Sequence, residues 1–198
     1  MDNTIEIVLE NYKGWLGNNP MIYQSPSNLK FHSEHLSILT YDKPTYKLLC
    51  TAGASKTAIP HSPGKFGSRK SCSYEYLIHS SEANLLDFHE LLFEVSLYAY
   101  LNDKFISSGS VISLGKKVLS SEMEYLYLTD PYEDDGAIYS KLPHGQIVLP
   151  NKVIQTLWII PIYTNEYRAI QEHGAEYFDN LLGQSAKNFE DLNRQPMT

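Results

Sequence analysis

A chain of 198 residues with 42% apolar and 12% aromatic residues, Tyr dominating with 15 copies, has the make-up of a folded domain and not of a disordered segment. Sixteen basic against 23 acidic residues leave a net charge of −7, which argues against a general nucleic-acid binder, because such a protein needs a basic surface to displace counterions. The same charge suits a basic partner, since complementary fields speed encounter.

The first residues, MDNTIEIVLEN, lack a basic n-region and a small-residue cleavage site, so no signal peptide is expected. The longest apolar runs fall short of the roughly 18 residues that a membrane span requires. Two cysteines, Cys50 and Cys72, do not make a disulfide framework. A reduced, cytoplasmic protein is the expectation, with no membrane or nucleic-acid partner.

In chain order, Ile5, Val8, Leu9, Tyr12, Trp15 and Leu16 form one stripe, which predicts an amphipathic helix over 4–16 with Gly17 just beyond it. Asn18-Asn19-Pro20 breaks it, Met21–Tyr23 reads as a short strand, and Ser25–Asn28 as a turn. Leu36–Tyr41 and Tyr46–Thr51 predict a hairpin around Asp42-Lys43-Pro44. Ala52–Ser73 is loop-like, broken by Pro60, Pro63, Gly64 and Gly67; from Lys43 to Tyr74 the chain carries basic residues and no acid. Tyr74–His79 reads as a strand and Glu82–Leu101 as a helix. In that helix Leu85, Phe88, Leu92, Val95 and Ala99 point inward, while Asp87, Glu90 and Glu94 lie on the wet side.

Gly109–Leu114 and Met123–Leu128 predict two more strands, followed by the acidic Glu133-Asp134-Asp135 loop and an edge strand at Gln146–Leu149. Val153–Tyr163 is almost continuously apolar, as expected of a central strand covered on both faces, with Pro161 marking a bulge or the end of its ladder. Thr164 is the expected N-cap of the next helix, and Glu166 sits in its positive first turn. After Gly174 a second helical piece places Ala175, Phe178, Leu181 and Leu182 inward, with Gly183 as its C-cap. Strands outnumber helices and mostly follow one another. The expectation is therefore α+β, a mixed and mostly antiparallel sheet with helices packed on it, in one domain over 1–183 with a polar tail from 184 to 198.

Catalytic patterns are sparse. Gly64–Ser71 (GKFGSRKS) nearly fits a phosphate loop, but Arg69 stands where the motif requires Gly and Ser62-Pro63 is a poor lead-in strand. His32 and His35 are three apart, and His61, His79, His89, His144 and His173 are scattered without ligand spacing; no metal or cofactor is implied. Cys50 falls in a predicted buried strand, where a free thiol behaves as a small hydrophobe. Cys72 lies in the basic loop, where a thiolate could be favoured, but a bystander thiol is much the commoner case; a hydrolase built on it, or on a histidine–carboxylate pair, lacks any recognised arrangement. Glu122, Glu124, Asp130, Glu133, Asp134 and Asp135 cluster in wet segments, as either solvated surface or an acidic recognition edge.

Four stretches resemble the Suppressor of fused domain family in its compact bacterial form. Ala52-Gly53-Ala54-Ser55 followed by Pro60 is similar to the family's strand, GxS and Pro segment, and Glu75-Tyr76-Leu77-Ile78 to the strand after it. Gly109–Gly115 with Ser121–Pro131 is similar to a third block. Leu157-Trp158-Ile159-Ile160-Pro161-Ile162 with Glu166 and His173-Gly174 is the most specific, and the resemblance spans about residues 20–183. It implies an α+β domain without catalytic activity that holds another protein. Animal members sequester transcription factors, gripping a partner peptide partly by strand addition. Single-domain bacterial relatives are read as immunity proteins, antitoxins that neutralise a cognate polymorphic toxin, often a nuclease. A nuclease carries positive charge, and an acidic inhibitor suits it. The expected partner is thus a basic protein toxin, met by a monomer or weak homodimer; the alternative is a general module that sequesters a peptide or regulator.

Overall fold

A computed structural model describes residues 4–24, 36–56, 71–81, 85–102, 104, 106–119, 121–131, 145–150, 152–184, 189 and 191–198. The elements are α1 (Thr4–Leu16), β1 (Met21–Gln24), β2 (Ser37–Asp42), β3 (Lys47–Ala52), β4 (Ser71–Ser80), α2 (Leu86–Leu101), β5 (Ser110–Ser113), β6 (Tyr125–Thr129), β7 (Gln146–Val148), β8 (Lys152–Ile162), α3 (Thr164–His173) and α4 (Ala175–Gln184). The strands form one sheet in the order β1-β2-β3-β4-β8-β6-β5, with β7 also paired to β8. Among the described residues only β4 and β8 run parallel, from Ser71 beside Lys152 to Leu77 beside Trp158; the other pairs are antiparallel. This is the expected α+β architecture.

Both faces of the sheet are covered, and alternation decides which side chain goes where. Ile38, Leu49, Tyr74, Tyr76, Leu126, Leu128, Leu157 and Ile159 meet Phe88, Leu91, Leu92 and Val95 of α2. On the other face Leu39, Leu48, Cys50, Leu77, Tyr127, Trp158, Ile160 and Ile162 meet Val8 and Tyr12 of α1, Ile170 of α3 and Phe178 and Leu182 of α4. Burying one such aliphatic or aromatic side chain contributes about 1.5–3 kcal/mol. That explains the apolar run in β8, whose residues from Ile154 to Ile162 are all buried.

Several local expectations shift. Pro161 does not interrupt the ladder; it pairs with Leu126, and β8 ends one residue later. Thr164 is the first residue of α3 and not its cap. Tyr163 holds the cap position, and Glu166 Oε2 reaches back to accept from its amide at 2.8 Å, because a carboxylate satisfies an orphan donor in the helix's first turn. Gly183 lies inside α4, which runs on to Gln184. The start of β4 absorbs Ser71 to Ser73 from the segment read as loop. The end of the polar tail is packed: Leu192 and Arg194 are both buried. The Ser25–Asn28 turn, the Glu133–Asp135 loop and the glycine-rich segment at 64–70 lie outside the described residues.

Candidate functional site

The acidic positions divide into two groups. Glu122 is exposed in the turn that links β5 to β6 and pairs with Lys117. Glu124, also exposed, accepts a 2.6 Å hydrogen bond from Thr164 Oγ1 at the start of α3. The five residues of β6, about 17 Å of strand, then separate these two from Asp130. Asp130 Oδ1 accepts from Gln155 Nε2 at 2.5 Å, and its amide donates to Ser108 Oγ at 3.1 Å. Beside it, Asp179 of α4 accepts from Tyr127 Oη at 2.8 Å and Thr129 Oγ1 at 3.0 Å. Burial, helped by the charge of Asp130, raises the Asp179 carboxyl above its usual range, while the Tyr127 and Thr129 hydroxyls oppose that rise. Glu133, Asp134 and Asp135 lie outside the described residues.

A groove of about 220 Å³ lies between α2 and the turn that follows β5. The wet stripe of α2, Asp87, Glu90 and Glu94, forms one wall; Leu114, Val118 and Leu119 with Lys116 and Lys117 form the other, over Leu91. Helical spacing puts the three carboxylates on one face. The turn is braced from within. Val118 N donates to Met123 O at 2.8 Å, Ser121 Oγ to Val118 O at 2.6 Å, and Met123 N to Ser121 Oγ at 3.1 Å. Leu119 is held at φ +55°, a conformation that costs a branched L-residue energy and persists only where its surroundings impose it. Carboxylates, ammonium groups and aliphatic carbon line the groove. That is a surface suited to binding.

Among the described residues, one thiol and two imidazoles, Cys50, His79 and His89, are engaged in packing. Cys50 is fully buried, and burial pushes its thiol well above the usual range, so the reactive thiolate is suppressed. His79 is boxed between the rings of Tyr46 and Trp158, at centroid distances of 4.8 and 4.9 Å, and burial pushes it down to about 3. His89 stacks on Tyr23 at 4.3 Å, lies 3.3 Å from Thr40 Oγ1, and is also lowered by burial. The side chain of Cys72 lies outside the described residues. Among the described residues no three His, Cys, Asp or Glu side chains are grouped as metal ligands.

Sequence reasoning placed Glu75 in a strand and Glu166 in the first turn of a helix, but missed the buried partners of both. Glu75, fully buried on β4, accepts from Thr51 Oγ1 at 2.6 Å, Ser55 Oγ at 2.6 Å, and the amides of Gly53, Ala54 and Ser55 at 3.0, 3.2 and 3.1 Å. Gly53 at φ +113° turns the chain so that these amides converge. Burial raises the Glu75 carboxyl; the hydroxyls of Ser55 and Thr51 and the amides of Ser55 and Gly53 oppose that rise. Glu166, also fully buried, takes both terminal nitrogens of Arg194 at 2.7 and 2.9 Å and the Met197 amide at 2.9 Å. Arg194 Nη2 also donates to Pro161 O at 2.9 Å, and its guanidinium lies over the rings of Tyr163 and Phe189 at 5.5 and 5.2 Å. An acid in the middle of a doubly covered strand was the available signal for Glu75. A lone Arg in a polar tail offered none.

Across residues 32–195 the chain matches the family model described as Suppressor of fused protein. The chain belongs to the Suppressor of fused family. No match is found among curated proteins. Among solved structures it is similar to a Suppressor of fused homologue from Neisseria gonorrhoeae, at 14% identity and a TM-score of 0.70, covering 99% of this chain and 97% of that one. It is similar, too, to a chain of the Sufu–Fu complex, at 13% identity and a TM-score of 0.68, covering 98% and 90%. Drosophila Suppressor of Fused matches at 14% identity and a TM-score of 0.66, with 98% of this chain spanning 50% of that one. At these identities the shared property is the Suppressor of fused fold. The family match begins after α1 and β1 and extends beyond the expected residue 183 to 195, taking in Glu75, Glu166 and Arg194. The matched residues thus include most of the packed C-terminal strap, residues 189 and 191–198. No helix among the described residues is long and apolar enough to cross a membrane.

Proposed function

We propose that this Suppressor of fused domain is a non-catalytic protein-binding domain, and specifically an immunity protein that neutralises a basic toxin by direct contact. Family membership, together with the structural likeness to a chain of the Sufu–Fu complex, carries the protein-binding part. The engagement of Glu75, Glu166, Cys50 and His79 in packing and internal hydrogen bonds supports a non-catalytic reading. The net charge of −7 supports a basic partner. The contact surface is assigned to the acidic positions Glu122, Glu124, Asp130, Glu133, Asp134 and Asp135, in a cytoplasmic monomer or weak homodimer. Coexpression with the product of the adjoining gene tests the reading. Rescue of growth and a complex that co-elutes are expected; toxicity without rescue and separate elution overturn the immunity role. The Sufu–Fu likeness also favours a second reading, a regulatory module that sequesters a cellular protein or peptide. A neighbouring gene that encodes no toxin would support it.

A further inference from the structure

The geometry points to the groove between α2 and the β5–β6 turn as the socket for an arginine-bearing segment of the partner protein. This inference rests on the protein-binding reading and adds to the acidic positions assigned above a second place of contact, with its chemistry. Asp87, Glu90 and Glu94 present three carboxylates from one helical wall. With Glu122 beside the groove, four carboxylates meet two ammonium groups, Lys116 on Glu94 and Lys117 on Glu122. Among the described residues neither Asp87 nor Glu90 is held in an ion pair, so the N-terminal half of the wall is the half with charge to offer.

The floor and far wall supply what a compact ammonium ion does not need and a guanidinium does. Leu91, Leu114, Val118 and Leu119 are aliphatic, and the stem of an Arg side chain packs along such surface while its planar head spans two acceptors. A guanidinium pairs bidentately with one carboxylate, and the second, one helical turn away as Asp87 and Glu90 are, lies close enough to add to its field. The opposing wall is already rigid: the hydrogen bonds around Ser121 and the imposed φ of Leu119 fix it before any partner arrives. Little conformational freedom is then left to lose on binding. The resident Lys116–Glu94 pair is exposed on both sides, at 61% and 40%, and such a pair gives way readily.

Titrating the intact chain with acetyl-tetraarginine amide and following backbone amides by NMR tests this directly. Saturable shifts confined to residues 85–94 and 113–119 are expected, falling away as salt rises. Asp87→Lys/Glu90→Lys should weaken binding by about tenfold or more, from the reversed charge alone. Glu10→Lys/Glu172→Lys changes the net charge by the same amount at exposed sites elsewhere and should leave it unchanged. Shifts spread evenly over all acidic surface, or equal loss in the two double variants, would overturn the socket. Tetralysine binding as tightly as tetraarginine would overturn the guanidinium assignment. The parent reading fails separately. If the partner from the adjoining gene binds wild type and Asp87→Lys/Glu90→Lys equally, the socket is wrong and the protein-binding reading stands; if it binds neither, that reading falls.

Discussion

Glu75 and His79 lie four residues apart on β4 and on the same face of the sheet, and burial moves their titrations in opposite directions. For Glu75 the neutral form is favoured by burial but the five donors around it are built for an anion. Glu75→Gln leaves a donating amide against backbone N–H groups, and a loss of about 2–4 kcal/mol in urea denaturation is expected from orphaned buried donors. His79 has its pKa pushed down to about 3, below the ordinary unfolded value near 6.5. Its contribution is therefore fully present above the unfolded pKa and is lost as pH falls from there towards the folded one. The slope is at most about 1.4 kcal/mol per pH unit. Denaturation midpoints at pH 7 and pH 4.5 should differ less in His79→Phe than in wild type, and an identical acid limb in both would refute the assignment.

At the scale of elements, the C-terminal strap and α3 are one unit. Tyr163 donates from its hydroxyl to Arg194 O at 2.6 Å while Arg194 returns two bonds to Glu166, so the start of α3 and the strap hold each other. Removing one partner of a buried pair strands the other charge. Arg194→Ala is expected to destabilise by about 3–5 kcal/mol, whereas Glu166→Leu/Arg194→Met should recover most of that loss. A stop codon after Gln184 should be at least as damaging as Arg194→Ala, since it removes Phe189 and Leu192 as well. Thermal melts of the three variants check the order. On the other side, Gly109, just before β5, has φ +86° and stands where an added Cβ would lie 3.0 Å from Ala175 Cβ at the start of α4. Its replacement by Ala combines strain with a clash.

For the whole molecule, the net charge of −7 acts at long range and the individual acids at short range. Glu122 and Glu124 are exposed and sit near the groove's rigid turn, whereas Asp130 is tied to Gln155, so charge reversal is cleanest at the first two. Glu122→Lys/Glu124→Lys should leave the melting temperature close to wild type while slowing association with a basic partner about threefold to tenfold. The salt dependence of the on-rate should flatten with it. Stopped-flow association at two ionic strengths measures both, and an unchanged on-rate removes these two from the contact.

Period and composition along the chain were enough to determine most of the elements, though not their ends. The stripe of α1, the hairpin of β2 and β3, the apolar run of β8 and the helix pair after it are each local patterns that burial on a sheet enforces. The motif order in the second half was enough to place the chain in its family. Pairing across distance belonged to the tertiary structure alone. β4 meets β8 across more than seventy residues, Glu166 meets Arg194 across 28, and Asp87 shares a groove with Leu119. A polar residue in a tail and a polar residue in solvent look the same in one dimension. Whether a carboxylate stays in water, closes an internal ring of donors or faces a partner depends on what the fold brings opposite it, and no local period encodes that.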